Sequence, residues 1–184
     1  YTWQHDDIIW LEGLRVHPDY QGKGYASKIV DALMNTVEEL DYKYLRFLTR
    51  EEKEPVKKMA EDHGFYIKQK YDYLMMDEEK LENADHPSEV DNYNEGAVEE
   101  VYDFILDSDE YESNKGQYMA HWTTFDITRQ LITEEIKKGN CYSIRTGEND
   151  ELDSISFFYS YEPYNSLSIP YISGSKEGML SLLD

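Results

Sequence analysis

Gln21-Gly22-Lys23-Gly24-Tyr25-Ala26 separates a short apolar run, closed by a His17-Pro18-Asp19 turn, from a strongly amphipathic stretch. A strand, a glycine-bearing turn and a helix N-terminus, in that order, suit a phosphate-bearing ligand. The first turn of a helix has N–H groups without intrahelical acceptors and a positive dipole end, so an anion is stabilised there. Gly22 and Gly24 carry no Cβ and let the backbone approach such a ligand. Two better-known loops are excluded by spacing. A Walker loop needs a Ser or Thr after its lysine, and Lys23 is followed by Gly24. The dinucleotide fingerprint needs a third glycine, and Ser27 stands at that offset.

What remains is Gln-x-x-Gly-x-Ala after Val16-His17-Pro18. This resembles the acetyl-CoA loop of the GNAT superfamily of N-acetyltransferases. A glycine-rich turn before an ordinary helix fits the same six residues, so the flanking pattern matters. From Ile8 to Met76 the element order resembles the C-terminal half of that fold. Ile8 to Val16 reads as the strand carrying substrate and pantetheine. Ala26, Ile29, Val30, Leu33, Met34, Val37 and Leu40 recur at helical spacing as one apolar stripe. Tyr44 to Thr49 reads as the next strand. Pro55 suits the first turn of a second helix, and Gly64 ends it. Gly64-Phe65 is a further mark of the family, and Tyr66 to Met76 reads as its closing strands.

Composition narrows the function. The chain has 184 residues, 40% of them hydrophobic, with seventeen tyrosines and six phenylalanines, enough for one large domain or two small ones with an aromatic interior. A single cysteine, Cys141, allows no internal disulfide and fits a reducing, cytoplasmic compartment; a buried strand position suits it better than a nucleophile's role. The residues at hand contain neither a run long enough for a transmembrane helix nor a signal-peptide pattern. The formal charge of -21 argues against nucleic acid and favours cationic partners, although solubility alone accounts for it equally well. The five histidines form no metal set. His5 with Asp6 and Asp7 is a weak candidate beside simple terminal disorder.

The acidity is uneven. Asp77 to Glu112 holds fifteen Asp or Glu residues against one lysine, Lys80. Three parts are expected: 1–76 as the cofactor-binding half, 77–95 as an acidic linker or surface crossing, and 96–184 as a second half domain. In the last part Ala97, Val98, Val101, Tyr102, Ile105 and Leu106 make one helical stripe. Ile127, Leu131, Ile132 and Ile136 make another, capped by Gly139. Cys141–Thr146, Ser154–Tyr161 and Leu167–Ile172 read as strands, Gly147–Asp150 as a turn, and a helix starts near Glu177. Helix, helix, strand, strand, strand resembles the N-terminal half of the same α/β fold, as in degenerate tandem acetyltransferases, but Lys176-Glu177-Gly178 does not reproduce the loop. The chain is then either the middle of a tandem protein, or one half completes the other within a chain or across a homodimer.

The resemblance implies direct acetyl transfer from acetyl-CoA to a primary amine, without metal or covalent intermediate. The diphosphate would sit on the amides of Gln21, Gly22, Lys23, Gly24, Tyr25, Ala26 and Ser27, and the pantetheine along Leu14 to Val16, like an added strand. A lysine-type amine, pKa near ~10.4, must lose a proton before attack. Glu12 is the candidate base, beside a solvent-facing alternative. The family's usual acid, a tyrosine five residues before the Phe of Gly-Phe, is Ala60 here, and a common asparagine is Lys53. Tyr66, Tyr71 and Tyr73 are the nearest substitutes. Three functions follow: an N-acetyltransferase of a small or peptidyl cationic amine, a non-catalytic acyl-CoA-binding module, or an interaction domain with a basic partner.

Overall fold

A computed structural model describes residues 2–5, 7–74, 88–89, 95–161 and 166–183. They form two units, residues 1–68 and 69–184. Most of the segment expected to be a linker, 77–95, lies outside the described residues.

The first unit is a three-stranded sheet in the order β1 (Thr2–His5), β2 (Ile8–Leu11), β3 (Tyr44–Arg46). β1 runs antiparallel to β2, with Trp3 opposite Trp10. His5 is therefore the last residue of a strand rather than part of a disordered end. β2 runs parallel to β3, which requires a crossover, and α1 (Tyr25–Val37) supplies it. Ile9 and Trp10 are successive strand residues pointing to opposite faces, and both are buried, so both faces of the sheet are covered. The stripe of α1 buries Val30 and Val37 and half-buries Ala26, Leu33 and Met34. Ile29 and Leu40 do not join it; they are 47% and 45% exposed.

α2 (Glu54–Asp62) starts with Pro55 in its first turn and stops at Gly64. The stop has two reciprocal bonds: Gly64 N–H donates to the Glu61 carbonyl at 2.9 Å and Phe65 N–H to the Ala60 carbonyl at 3.0 Å. That is a Schellman ending, with Gly64 at φ +81° in the left-handed region. Phe65 then meets Phe47 edge to face, centroids 5.2 Å apart. Two expected strands are shorter than their apolar runs. β3 ends at Arg46 rather than Thr49, and residues 66–74 form none at all. Tyr66, Ile67, Tyr73 and Leu74 are exposed, and no strand among the described residues pairs with them. Strand propensity without a ladder partner does not make a strand.

The second unit is built on an antiparallel sheet in the order β4 (Ser88–Glu89), β7 (Cys141–Thr146), β8 (Glu151–Tyr161), β9 (Ser166–Gly174). Cys141, Ile155, Phe157 and Tyr171 lie on one face. They share a core with Val98, Val101 and Ile105 of α3 (Glu95–Leu106) and Ile132 and Ile136 of α5 (Arg129–Lys137). Ser154 occupies the opposite face, against Gly178 of α6 (Lys176–Leu183). A Cβ on Gly178 would collide with the Asp153 carboxylate and the Ser154 hydroxyl, so the glycine sets how closely α6 docks.

Three elements between α3 and α5 were not expected. They are a short α4 (Asp109–Ser113) and a hairpin of β5 (Gln117–Ala120) and β6 (Thr123–Asp126). Inside the core the Tyr118 and Tyr159 hydroxyls bond at 2.8 Å, and burial pushes both phenol pKa values upward. The buried Glu135 carboxylate accepts from Asn140 Nδ2 at 2.8 Å and Lys138 Nζ at 3.2 Å, so the charge is compensated.

Candidate functional site

The ladder between β2 and β3 lasts only from Ile8↔Tyr44 to Trp10↔Arg46. Beyond Leu11 the main chain leaves the sheet, and Gly13 turns at φ +73°. Glu12 therefore stands just past the strand end, half-buried, rather than within a strand reaching Val16. Glycine in the left-handed region explains the early stop, because that conformation cannot continue a ladder. No described strand pairs with residues 12–16. Leu14 and Val16, the residues expected to meet pantetheine, lie in this segment, Leu14 exposed at 41%.

From Val16 the chain folds into a compact, self-braced loop. Pro18–Tyr20 makes one 3-10 turn, closed by the Tyr20 N–H to the His17 carbonyl at 2.9 Å. The His17 ring accepts from the Asp19 N–H at 3.3 Å. Gln21 reaches back and donates from Nε2 to the Val16 carbonyl at 3.0 Å, tying the two ends together. Lys23 donates to the Asp19 carbonyl at 2.7 Å and lies over the Tyr20 ring, 5.2 Å from its centroid. Its ammonium is thus held on the loop itself.

Gly22 and Gly24 have φ of +72° and +76°. A Cβ at either would meet nothing within 4 Å. Backbone conformation, not crowding, demands glycine here, and the space outside the loop is open. Gly24 is the N-cap of α1 and provides no side-chain acceptor; no acid stands in the first turn. The first helical bond is Lys28 N–H to the Gly24 carbonyl at 3.2 Å. Tyr25, Ala26 and Ser27 precede it, so their amides have no intrahelical acceptor. Neither a capping side chain nor a carboxylate neutralises this positive end.

Beside the loop is an open pocket of about 330 Å³ lined by Arg15, Val16, His17, Tyr20, Tyr25 and Ile29. Tyr20 meets His17 and Tyr25 edge to face, each at 6.0 Å. Lys28 lies 5.9 Å from the Tyr25 centroid. His17, Tyr20 and Ile29 are pocket residues not expected from the sequence, and Arg15 lies within the stretch expected to meet pantetheine. Tyr25 and Ile29, four residues apart on α1, were the available signal, since that pair shares a helix face beside the buried stripe.

The position of the usual acid, Ala60, lies in α2 and offers only its backbone carbonyl, which accepts from the His63 and Phe65 amides. Of the substitutes, Tyr66 is 81% exposed, and Tyr71 and Tyr73 belong to the second unit. His63, at the end of α2, donates from Nδ1 to the Met59 carbonyl at 2.8 Å and from Nε2 to Asp31 on α1 at 2.9 Å. The Met59 carbonyl, the Asp31 hydrogen bond and the nearby charges of Asp31 and Asp62 raise its pKa.

Among the described residues, the second unit has no such loop. Ser175 alone joins β9 to α6. Its hydroxyl accepts from the Gly178 N–H at 3.0 Å and donates to the Asp153 carboxylate at 2.7 Å. Lys176, Glu177 and Gly178 lie inside the helix, beside a carboxylate that would repel a diphosphate. Among the described residues no group of three or more His, Cys, Asp or Glu side chains is placed to hold a metal.

Comparison with known families bears on the first unit. The family model described as Acetyltransferase (GNAT) family matches residues 1–65. The mixture of helices and sheets is consistent with that family's α/β fold. No curated protein and no solved structure matches the chain.

Proposed function

We propose that the chain, whose residues 1–65 match the acetyltransferase (GNAT) family model, transfers an acetyl group from acetyl-CoA to a primary amine. The uncapped first turn of α1 behind Gly22 and Gly24 carries this reading. It offers three amides and a dipole to the cofactor diphosphate, each contact worth roughly 0.3–1 kcal/mol. No described strand pairs with Leu14 to Val16, and a pantetheine arm runs along this stretch like an added strand. The amine nitrogen attacks the thioester carbonyl directly, the C–S bond breaks, and the thiolate leaves with a proton taken from solvent. Before the attack Glu12, at the mouth of this segment, takes one proton from the substrate ammonium to free the nitrogen lone pair, and the nitrogen's second proton passes to solvent as the amide forms. The acceptor is a cationic amine, in keeping with the charge of -21.

Ala60 favours a second reading, an acyl-CoA-binding module without turnover, because the usual proton donor is absent. Calorimetry with acetyl-CoA, followed by thiol release across a panel of amines, separates the two. Binding with release supports the enzyme; binding without release on any amine supports the module. Gly24→Val tests the site itself. A β-branched residue at φ +76° is strained by about 1–2 kcal/mol, so the loop shifts and acetyl-CoA affinity falls about tenfold. Unchanged affinity would put the cofactor elsewhere.

A further inference from the structure

The charge of the chain is divided unequally between its units. Residues 1–68 hold 10 Lys or Arg and 13 Asp or Glu, whereas residues 69–184 hold 8 and 26. The second unit thus carries a net -18 of the total -21, and the unit with the diphosphate loop is nearly neutral. An acidic surface by itself says little beyond solubility. The second unit has another feature, at the tip of the β5–β6 hairpin.

His121 and Trp122 form the two-residue turn between Ala120 and Thr123, which pair across it. Both have positive φ, 49° and 65°. Such turns favour Asn and Gly, and a tryptophan at φ +65° is an unfavourable choice. The strained Trp122 is not used to fill the core. It is 54% exposed and stacks on Tyr73, itself 66% exposed, with centroids 5.9 Å apart and planes 20° from parallel. His121 lies edge-on to Tyr159 at 5.6 Å, which anchors the turn to the sheet. Asp72 precedes Tyr73 in the chain and is exposed.

We propose that Trp122 and Tyr73 form a docking platform for a lysine- or arginine-rich peptide segment of a protein partner. The cation of such a side chain binds over an aromatic face, and each exposed ring contributes a cation–π contact. The acidic unit draws the segment in and holds its remaining charges. An acidic or neutral peptide lacks both terms. A basic segment fits better than a lone small cation, because the rings at the hairpin tip hold one cation while the unit's net -18 favours several. This inference does not depend on acetyl-CoA, since none of its residues belong to the loop.

The test titrates the intact chain with a short oligolysine peptide in low salt, beside a glycine–serine peptide of equal length and spermine. Oligolysine binds and the neutral peptide does not. Affinity falls steeply as salt shortens the screening length below its ~10 Å at 0.1 M. Trp122→Leu and Tyr73→Leu each weaken peptide binding about two- to fivefold, while Trp122→Phe, which keeps a ring, loses less. Tyr73 lies outside helices and strands, so its replacement does not threaten the fold. Equal affinity of both leucine variants and the parent chain overturns the platform. Spermine binding that both variants lose, with no peptide binding, overturns the peptide assignment. Acetyl-CoA titration of the parent chain and of Trp122→Leu keeps the two proposals apart. Failure of the parent to bind cofactor ends the enzyme reading and leaves the peptide result standing.

Discussion

Replacing His63 by glutamine tests how α2 is fastened to α1. Both ring nitrogens face acceptors, the Met59 carbonyl at 2.8 Å and Asp31 at 2.9 Å, so the bonded ring is the doubly protonated imidazolium. Its pKa is raised above the ordinary ~6.5. The sign follows from that direction. The stabilisation is fully present below ~6.5, where the unfolded chain is also protonated, and it is lost as pH climbs through the raised folded value. Above that value one nitrogen loses its proton and one acceptor loses its donor. The Asp31 side chain is 62% exposed, so its ion pair falls in the range of exposed pairs, ~0.2–1 kcal/mol. A cation at the C-terminal end of α2 adds ~0.3–1 kcal/mol. Together they give about 1 kcal/mol, or ~2–4 °C in Tm for a chain of this length. The assay compares thermal unfolding of parent and His63→Gln at pH 5.5 and pH 9, with the His63 ring followed by NMR titration. The parent should melt higher at pH 5.5, and the gap should close by pH 9. An equal gap at both pH values, or a ring titrating at or below 6.5, would refute the imidazolium bridge.

The other expectations are simpler. Glu12→Gln should lower turnover by roughly 100–10,000-fold and remove the basic requirement from the pH–rate profile; an unaltered profile assigns the proton to another group. Gly178→Val should lower stability by about 1–3 kcal/mol, because its Cβ meets Asp153 and Ser154; an unchanged denaturation midpoint would mean that α6 is free to slide. The Cys141 thiol is buried among apolar residues, and burial pushes its pKa up. Alkylation should therefore track global unfolding, and rapid labelling in native buffer would contradict its place in the core.

Elements defined by local chemistry were legible in the sequence. Pro55 and Gly64 bracket α2, Gly139 ends α5, and β7 occupies Cys141–Thr146 as expected. The loop was legible because its glycines have no other use: both sit at positive φ with open space around them. What failed were features that depend on distant partners. β2 reads through to Val16 in the sequence, yet Gly13 turns the chain and no described strand pairs with residues 12–16. Residues 66–74 have strand-like composition, yet no strand among the described residues forms a ladder with them. Ile29 matched the apolar stripe and nevertheless lines a pocket, because a stripe wider than the buried face leaves its margin in solvent. The β5–β6 hairpin was hidden by its turn. His121-Trp122 carries none of the usual turn residues, and only the folded backbone reveals it.

Helix starts differ across the molecule in one respect. Ser108, Thr128 and Ser175 each accept a main-chain N–H in the first turn of the helix that follows. Gly24 accepts none. An Asn or Asp at position 24 is among the few non-glycine residues that tolerate its left-handed backbone, and its side-chain oxygen would supply an acceptor there. Selection on melting temperature alone would favour such a change at Lys53, the N-cap of α2, which also makes no side-chain cap bond, as it would here. The substituted oxygen would fill the place a diphosphate needs, so the sturdier protein would be the one that had lost its ligand.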